Sequence, residues 1–246
     1  MAARGVRLDR LLVDRGLAPS RERAQRLIMA GDVLVADRPV TKSGTVVAPD
    51  ATIRLREAPS PWVSRGGEKL AGALEAFALD VTGCVALDVG ASTGGFTDVL
   101  LRHGARRVIA ADVGYGQLAW ALRQDPRVAV LDRVNARGLT PEMLPEPPNV
   151  VTIDVSFISL ALVLPAVARV AAPGADVIAL VKPQFEVGRE AVGKGGVVRD
   201  DAARAAAVRK VCAAAEAAGF VVRGEAESVL PGPKGNREVF LWLVAG

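Results

Sequence analysis

Lys69, Asp154, Lys182 and Glu238 are the residues of this chain whose types and positions invite chemistry. Lys182 ends the apolar run IALVK and Pro183 follows at once, so a buried strand finishes on an amine. Asp154 ends VVTID in the same way, Glu238 opens EVFLWLVA, and Lys69 lies in the helical pattern before CVALDVG. Amines set among carboxylates can take the proton of a weak acid such as an alcohol while its oxygen attacks an electrophile. The lysine must be neutral for this, and a free lysine titrates near ~10.4. Partial burial and a second cation, for which Lys69 is available, favour the neutral form. Each residue alone has a plainer explanation. Lys182 fits a strand-end lysine with its stem on the core and its head in water. Lys69 fits a helix-surface charge, and Glu238 one half of a solvated pair. Asp154 is the strongest of the four taken singly, because a strand-end aspartate seldom lacks a ligand or a cap.

The elements that must position these groups follow from alternation. From residue 84 the patterns run strand (CVALDVG), helix (TGGFTDVLLRHG), strand (RVIAADVG), helix (GQLAWALRQ) and strand (VAVLD). Then come VVTIDVSF as a strand, a helix over Leu160–Val170, DVIALVK as a strand, a helix over Asp201–Ala218, and the strands FVVRGEA and EVFLWLVA. Such alternation predicts an α/β fold with a mostly parallel sheet covered on both faces. No helix separates the final two strands, so the last one is expected to be antiparallel. In open sheets of this kind ligands sit beyond the carboxyl ends of the strands, where Asp154 and Lys182 belong.

The first of these strands runs into LDVGASTGGFTD. Its G-x-x-x-G-G spacing is not the G-x-G-x-x-G of nicotinamide or flavin binders, and no G-K-[ST] follows as a phosphate loop needs. Gly90, Gly94 and Gly95 let backbone approach a ligand closely, and Gly90, Ala91, Ser92, Thr93, Gly94, Gly95 and Phe96 form the expected cradle. Asp88 is expected to meet a cationic or hydroxyl-bearing ligand. Asp112, with Val113 beside it, ends the next strand and is placed for ribose hydroxyls. Asp132 ends the third, near where an adenine would lie, and Asp154 completes the set. An acidic strand end, a glycine loop and a second acidic strand end resemble the S-adenosylmethionine site of class I methyltransferases, and the four charged residues at such a site suggest transfer to a hydroxyl.

The net charge is +4, and residues 1–60 carry all of it, with 11 Lys/Arg against 7 Asp/Glu, whereas residues 61–246 hold 20 of each. A basic segment of this kind attracts polyanions, RNA above all. Within it, Leu8, Leu11 and Leu12 have helical spacing and Gly16 closes that helix. Ser20 caps a second helix, with Arg23 where a capping box would have Glu; Ala24, Leu27 and Ile28 make its apolar stripe. Val33 and Val35 alternate as in a strand and a turn follows at residues 37–39. The leucine pair, Ser20–Arg21, Ala24 and the Gly31–Val33–Val35 turn resemble the S4 RNA-binding domain. Arg4, Arg7, Arg21, Arg23, Lys42 and, after the linker, Arg65 are the candidate RNA contacts, suited to gripping phosphates rather than reading bases. Pro59 and Pro61 disfavour helix, so residues 1–58 are expected as one domain, 59–64 as a linker and 65–246 as the second domain.

The Lys69–Asp154–Lys182–Glu238 set is similar to the catalytic tetrad of the FtsJ-like ribose 2′-O-methyltransferases. With an S4 domain in front, and with VSRGGEKL, DVGASTGGFTD, ADVGYGQLAW, DVSFISL, LVKPQFEVG and LPGPKGNREVFLWL spanning nearly the whole chain, the sequence is identified as a member of the TlyA family, often labelled haemolysin A. The resemblance implies S-adenosyl-L-methionine as cofactor and methylation of cytidine 2′-hydroxyls in ribosomal RNA. It makes Lys182 the base and Lys69, Asp154 and Glu238 its partners. It also implies large-subunit RNA as the substrate, because the chain stops at Gly246 directly after its last strand, without the extension of the longer family form.

Other classes fit less well. The haemolysin label raises a membrane-lytic protein, but no 18-residue uncharged apolar run is present and the Asp201–Ala218 helix is poor in bulky apolar residues. An RNA-binding protein with an inactive methyltransferase domain conflicts with the intact tetrad and glycine loop. The start, MAARGVRLDRLL, has charges where a signal peptide needs an apolar stretch. Cys84 and Cys212, in apolar elements, read as free thiols in a reducing cytoplasm. His103, the only histidine, reads as a helix-end cation and leaves no zinc site. No metal or membrane partner is expected, and the chain is taken as a monomer.

Overall fold

The computed structural model describes residues 5–29, 31–55 and 60–246; of the candidate RNA contacts, Arg4 lies outside them. The chain divides into two compact units, Met1–Pro61 and Trp62–Gly246.

The first unit contains β1 (Val6–Arg7), α1 (Leu8–Asp14), α2 (Arg21–Met29), β2 (Val33–Val35), β3 (Arg38–Pro39), β4 (Val46–Val47) and β5 (Ile53–Leu55). Gly16, at φ +70°, takes the chain out of α1, and the Arg23 amide donates to Ser20 Oγ at 3.2 Å to cap α2. Ala36 and Asp37 both lie at positive φ, the geometry that lets a two-residue turn join the right-handed twist of β2 and β3. Leu8, Leu12, Ala24, Leu27, Ile28 and Val33 form the core. The strands pair as β1–β4 and as a three-stranded sheet in the order β3-β2-β5.

The second unit begins with α3 (Gly66–Ala76), β6 (Val85–Val89), α4 (Gly95–Arg102), β7 (Arg107–Asp112), α5 (Trp120–Arg123) and β8 (Val128–Asp132). It continues through β9 (Val150–Ile153), α6 (Leu164–Val170), β10 (Asp176–Val181), α7 (Pro183–Glu186), α8 (Asp201–Ala217), β11 (Phe220–Glu227) and β12 (Val239–Ala245). One seven-stranded sheet runs in the order β11-β12-β10-β9-β6-β7-β8. β8, β7, β6, β9 and β10 are parallel. β12 is antiparallel to both neighbours and sits inside the sheet, between β10 and β11.

Alternation along the strands gives each face its own core. Leu87, Val89, Ile153, Val181 and Leu241 pack with Val163 and Val167 beside α6 and with Val211 of α8. Ala86, Val108, Ile178, Leu180 and Phe240 pack with Leu70 and Leu74 of α3 and Val99 and Leu100 of α4. The central strands β6, β9 and β10 are therefore buried on both faces, as a parallel sheet requires.

Two elements differ from expectation. The helix expected over GQLAWALRQ is reduced to four residues of α5, because Ala119 is extended at ψ 139° and stops the helix from starting earlier. The helix expected over Leu160–Val170 starts as a 3-10 turn, Leu160–Leu162, before α6.

Candidate active site

The carboxyl ends of β6, β9 and β10 lie side by side because Val89 pairs with Ile153 and Ile153 with Ala179. Gly90, Asp154 and Lys182 are the residues that follow these strands. On the other flank of β10, Val181 pairs with Val239, so Glu238, just before β12, comes beside Lys182 in register. The four candidate catalytic residues and the glycine loop line one cavity of about 450 Å³.

The four charges resolve into two pairs. The Lys69 ammonium donates to Glu238 Oε2 at 2.5 Å. The Lys182 ammonium lies 2.5 Å from Asp154 Oδ1 and donates to Ser156 Oγ at 2.9 Å. Lys69 and Glu238 are 8% and 2% exposed, and Asp154, its side chain 23% exposed, is the most open of the four. Lys69, expected as a second cation near Lys182, faces the cavity with a carboxylate of its own, and each lysine has one carboxylate partner.

The glycines explain how such bulk converges. A Cβ on Gly90 would lie 2.7 Å from the Asp154 carbonyl oxygen, and φ is +87° there, so β6 and β9 can pack this closely only with glycine at that point. A Cβ on Gly95 would lie 2.9 Å from the Gly67 amide, which lets α4 approach the start of α3 and brings Lys69 to the cavity. Phe96, also in the lining, packs its ring 6.1 Å from that of Phe240.

The expected cofactor residues divide. Gly90, Ala91, Ser92, Thr93, Gly95, Phe96 and Asp154 line the cavity, while Asp88, Gly94, Asp112, Val113 and Asp132 do not. Asp112 braces the loop: its carboxylate accepts from the Ser92 amide at 2.8 Å and the Gly114 amide at 2.7 Å. Gly94, left-handed at φ +95°, begins α4, and Val113 is exposed beyond β7. Asp132, expected near an adenine, is engaged by the Arg123 guanidinium across from it. Asp88, expected to meet a ligand, is instead fully buried beneath the loop, where Thr97 Oγ1 donates to it at 2.7 Å and Thr152 Oγ1 at 3.2 Å. Burial pushes its carboxyl up to about 7, with the nearby Asp154 charge acting in the same direction and the two threonines opposing.

In the first unit two candidate RNA contacts also meet a buried acid. Asp9 is completely buried; Arg7 donates to it through Nε and Nη2 at 3.0 and 2.9 Å, and Arg21 and Gln25 at 3.0 and 2.9 Å. The Arg7 contact, with help from Gln25 and Arg21, holds the Asp9 carboxyl well below the usual range against its burial. Arg7 and Arg21 thus have an internal partner, although their side chains stay 47% and 60% exposed. Arg23 is half-buried on the same helix, and Lys42 and Arg65 are exposed. Trp62 packs against Gly67, under the Arg102 guanidinium and 5.9 Å from the His103 ring, and His103 caps α4 through Nδ1 and the Val99 carbonyl at 2.9 Å.

Several lining residues were not singled out from sequence: Ser156, Phe157, Gln184 and Asn236. Ser156 was findable, since it lies two residues past a strand-end aspartate. Asn236 has no local signature; it is buried because the 193–197 hairpin folds back onto it, with Nδ2 donating to the Gly196 carbonyl and Oδ1 accepting from the Val198 amide, both at 2.9 Å.

The strand order with an inserted antiparallel strand, and a glycine-lined cavity at the strand ends, define the class I S-adenosylmethionine-dependent methyltransferases. The cradle fits that cofactor: Gly90, Ala91, Ser92, Thr93 and Gly95 line it with backbone and small side chains, and Asp112 braces the loop through the Ser92 amide. The family models agree, the FtsJ-like methyltransferase matching residues 62–245 and the S4 domain residues 6–53. The chain belongs to the FtsJ-like methyltransferase family and, within it, to the S4-bearing TlyA group. A Mycobacterium tuberculosis relative named 16S/23S rRNA (cytidine-2'-O)-methyltransferase TlyA is 54% identical, over 98% of this chain and 90% of its own. One from Brachyspira hyodysenteriae, named Hemolysin A, is 39% identical over 95% of this chain and 97% of its own. A solved Streptococcus thermophilus structure, 42% identical, superposes with a TM-score of 0.78 over 99% of this chain and 90% of that one.

Proposed function

We propose that this enzyme methylates cytidine 2′-hydroxyls of ribosomal RNA, with residues 1–58 gripping RNA and 65–246 carrying the chemistry. The observation that carries the reading is the pair of lysine–carboxylate contacts facing one cavity with the glycine loop. S-adenosylmethionine, when bound, supplies an electrophilic methyl group. The chain's own residues must hold a ribose hydroxyl in line with it and remove the proton. Lys182 is the better base of the two lysines. Its pair is the more open, and Asp154 and Ser156 give its amine two anchors that hold the nitrogen in one direction. Lys69 and Glu238 are sealed against each other, which suits fixing one wall of the site. Positioning of this kind supplies much of the rate in such transfers.

Large-subunit RNA is the substrate to try first, with small-subunit RNA beside it, because the M. tuberculosis relative is named for both. This work belongs in the cytoplasm, where ribosomal subunits are made. Among the described residues no helix is long and apolar enough to cross a membrane. The test is incubation of ribosomal subunits with labelled methyl donor and mapping of the modified position. Lys182→Ala should lower turnover at least about a hundredfold, the scale of a lost general base, with cofactor affinity retained. Near-normal turnover in that variant removes Lys182 from the role.

A further inference from the structure

Glu186 ends α7, four residues after Lys182, and it is a buried acid that the chemistry above does not use. Its carboxylate does not face α7's own backbone. Ser159 Oγ donates to Oε2 at 2.6 Å and the Leu160 amide donates to Oε1 at 2.7 Å. Both donors belong to the loop that leaves β9 through Asp154, Ser156 and Phe157. From the other side Lys210 of α8 donates to the Glu186 main-chain carbonyl at 2.7 Å, with its ammonium 3.9 Å from Oε2. The two segments meet at three places: at Lys182 with Asp154 and Ser156 in the cavity, at the Phe157 and Phe185 rings with centroids 5.1 Å apart, and at Glu186 with Ser159 and Leu160.

We infer that Glu186 is a positioning residue for the reaction, fixing the segment that bears the base to the segment that bears the base's partners. The inference rests on Lys182 as the base. The geometry gives it a reason. The strands hold Ile153 against Ala179, but pairing between β9 and β10 stops there. Beyond it the Lys182 contacts, the Phe157–Phe185 ring contact and the Glu186 clamp keep the two loops in register, and of these the clamp alone holds the backbone of the β9 loop by a hydrogen bond. Without the clamp the Lys182 nitrogen still has partners, but the loop carrying them can shift, and a displacement of about 1 Å at a reacting centre costs as much as ~100-fold in rate.

The experiment uses the full-length protein with ribosomal subunits. Glu186→Ala removes both acceptors. Glu186→Gln restores the shape: its carbonyl can accept from the Leu160 amide and its amide nitrogen can donate to Ser159 Oγ. Ser159→Ala removes one of the two bonds. Expected are a fall in kcat of at least about tenfold for Glu186→Ala, KM for RNA and cofactor affinity within about twofold of the parent, and recovery of most of the rate in Glu186→Gln. Ser159→Ala should lose less, and adding it to Glu186→Ala should cost nothing further, because the two share one contact. Hydrogen exchange across residues 154–162 should quicken in Glu186→Ala and return in Glu186→Gln. Unchanged kcat in Glu186→Ala overturns the inference. So does parallel loss of cofactor affinity, which marks a general loss of fold, or a glutamine variant as slow as the alanine one. Lys182→Ala run beside them keeps the two claims apart: its near-normal turnover defeats the assignment of the base, whatever the Glu186 variants do.

Discussion

Replacing Glu238 by alanine should destabilise the second unit far more than replacing the whole Lys69–Glu238 pair. The two groups are 2.5 Å apart with side chains 10% and 1% exposed. Deleting one member of a buried pair leaves the other charge uncompensated and costs ~3–5 kcal/mol, whereas exchanging both for apolar residues of similar volume is near neutral. With a urea slope of ~2 kcal/mol per M, Glu238→Ala or Lys69→Met should lower the unfolding midpoint by about 1.5–2.5 M. Lys69→Met with Glu238→Leu should return it to within about 0.5 M of the parent. Activity should not follow stability: the double variant stays as inactive as either single one, since methionine and leucine cannot rebuild the hydrogen-bonded wall that Lys69 and Glu238 form. Urea titration by tryptophan fluorescence reads the first quantity, because Trp242 lies in β12 just after Glu238, and methyl transfer reads the second. A single-variant midpoint within about 0.5 M of the parent would mean that water solvates the pair. Activity restored with stability in the double variant would make it structural only.

Asp9 gives an acid-sensitive first unit. Its folded-state carboxyl is held below its unfolded value, near ~3.9, by Arg7 first. Its stabilisation is therefore complete above that value and lost as pH falls below it, and melting of Asp9→Asn by circular dichroism should be weaker at pH 7 and flatter towards acid. Arg21→Ala should weaken RNA binding and reduce the dependence of log K on log salt by roughly one phosphate contact; an unchanged salt slope assigns Arg21 to Asp9 alone. Asp88 has the opposite sign. Burial raises its carboxyl to about 7, so the folded state keeps a proton that the unfolded state has released, and stability should decline from about pH 4 to 7 and then level off. Asp88→Asn should remove that decline in urea midpoints measured across the range, and a parent midpoint constant from pH 4 to 7 would refute the reasoning.

The order of strands and helices was legible because each strand of the second unit is a short apolar run ended by glycine or a charge, and each long helix has a cap or an apolar stripe. Asp154, Lys182 and Glu238 were legible for the same reason, as charges at the ends of apolar runs. What the sequence hid was pairing. Nothing in a single sequence distinguishes a carboxylate that opens on a cavity from one such as Asp88 that turns beneath it, since Thr97 lies nine residues away and Thr152 sixty-four. The Lys69–Glu238 contact spans 169 residues. In β1 and α2, Arg7 and Arg21 read as surface cations because the acid they share, Asp9 of α1, reads as an ordinary exposed helix residue until the fold buries it. Helix length failed at α5, where the extended Ala119 overrides the helical propensity of the residues before it.

The antiparallel strand explains why the four groups can meet at all. A parallel sheet offers its ligands only the residues that follow each strand, here Gly90, Asp154 and Lys182. A strand inserted in reverse offers at that same rim the residue that precedes it, and the Val181–Val239 register puts Glu238 there. The chain before β12 must therefore enter from the ligand side, and it does so through the Pro231–Asn236 turn, which lines the cavity itself. One strand reversal thus supplies both an acid that holds Lys69 and a wall for the substrate. A one-residue slip of β12 would disturb both together. It would move Glu238 by about 3.4 Å along the strand and turn its side chain to the opposite face of the sheet, away from Lys69, while dragging the Pro231–Asn236 wall with it.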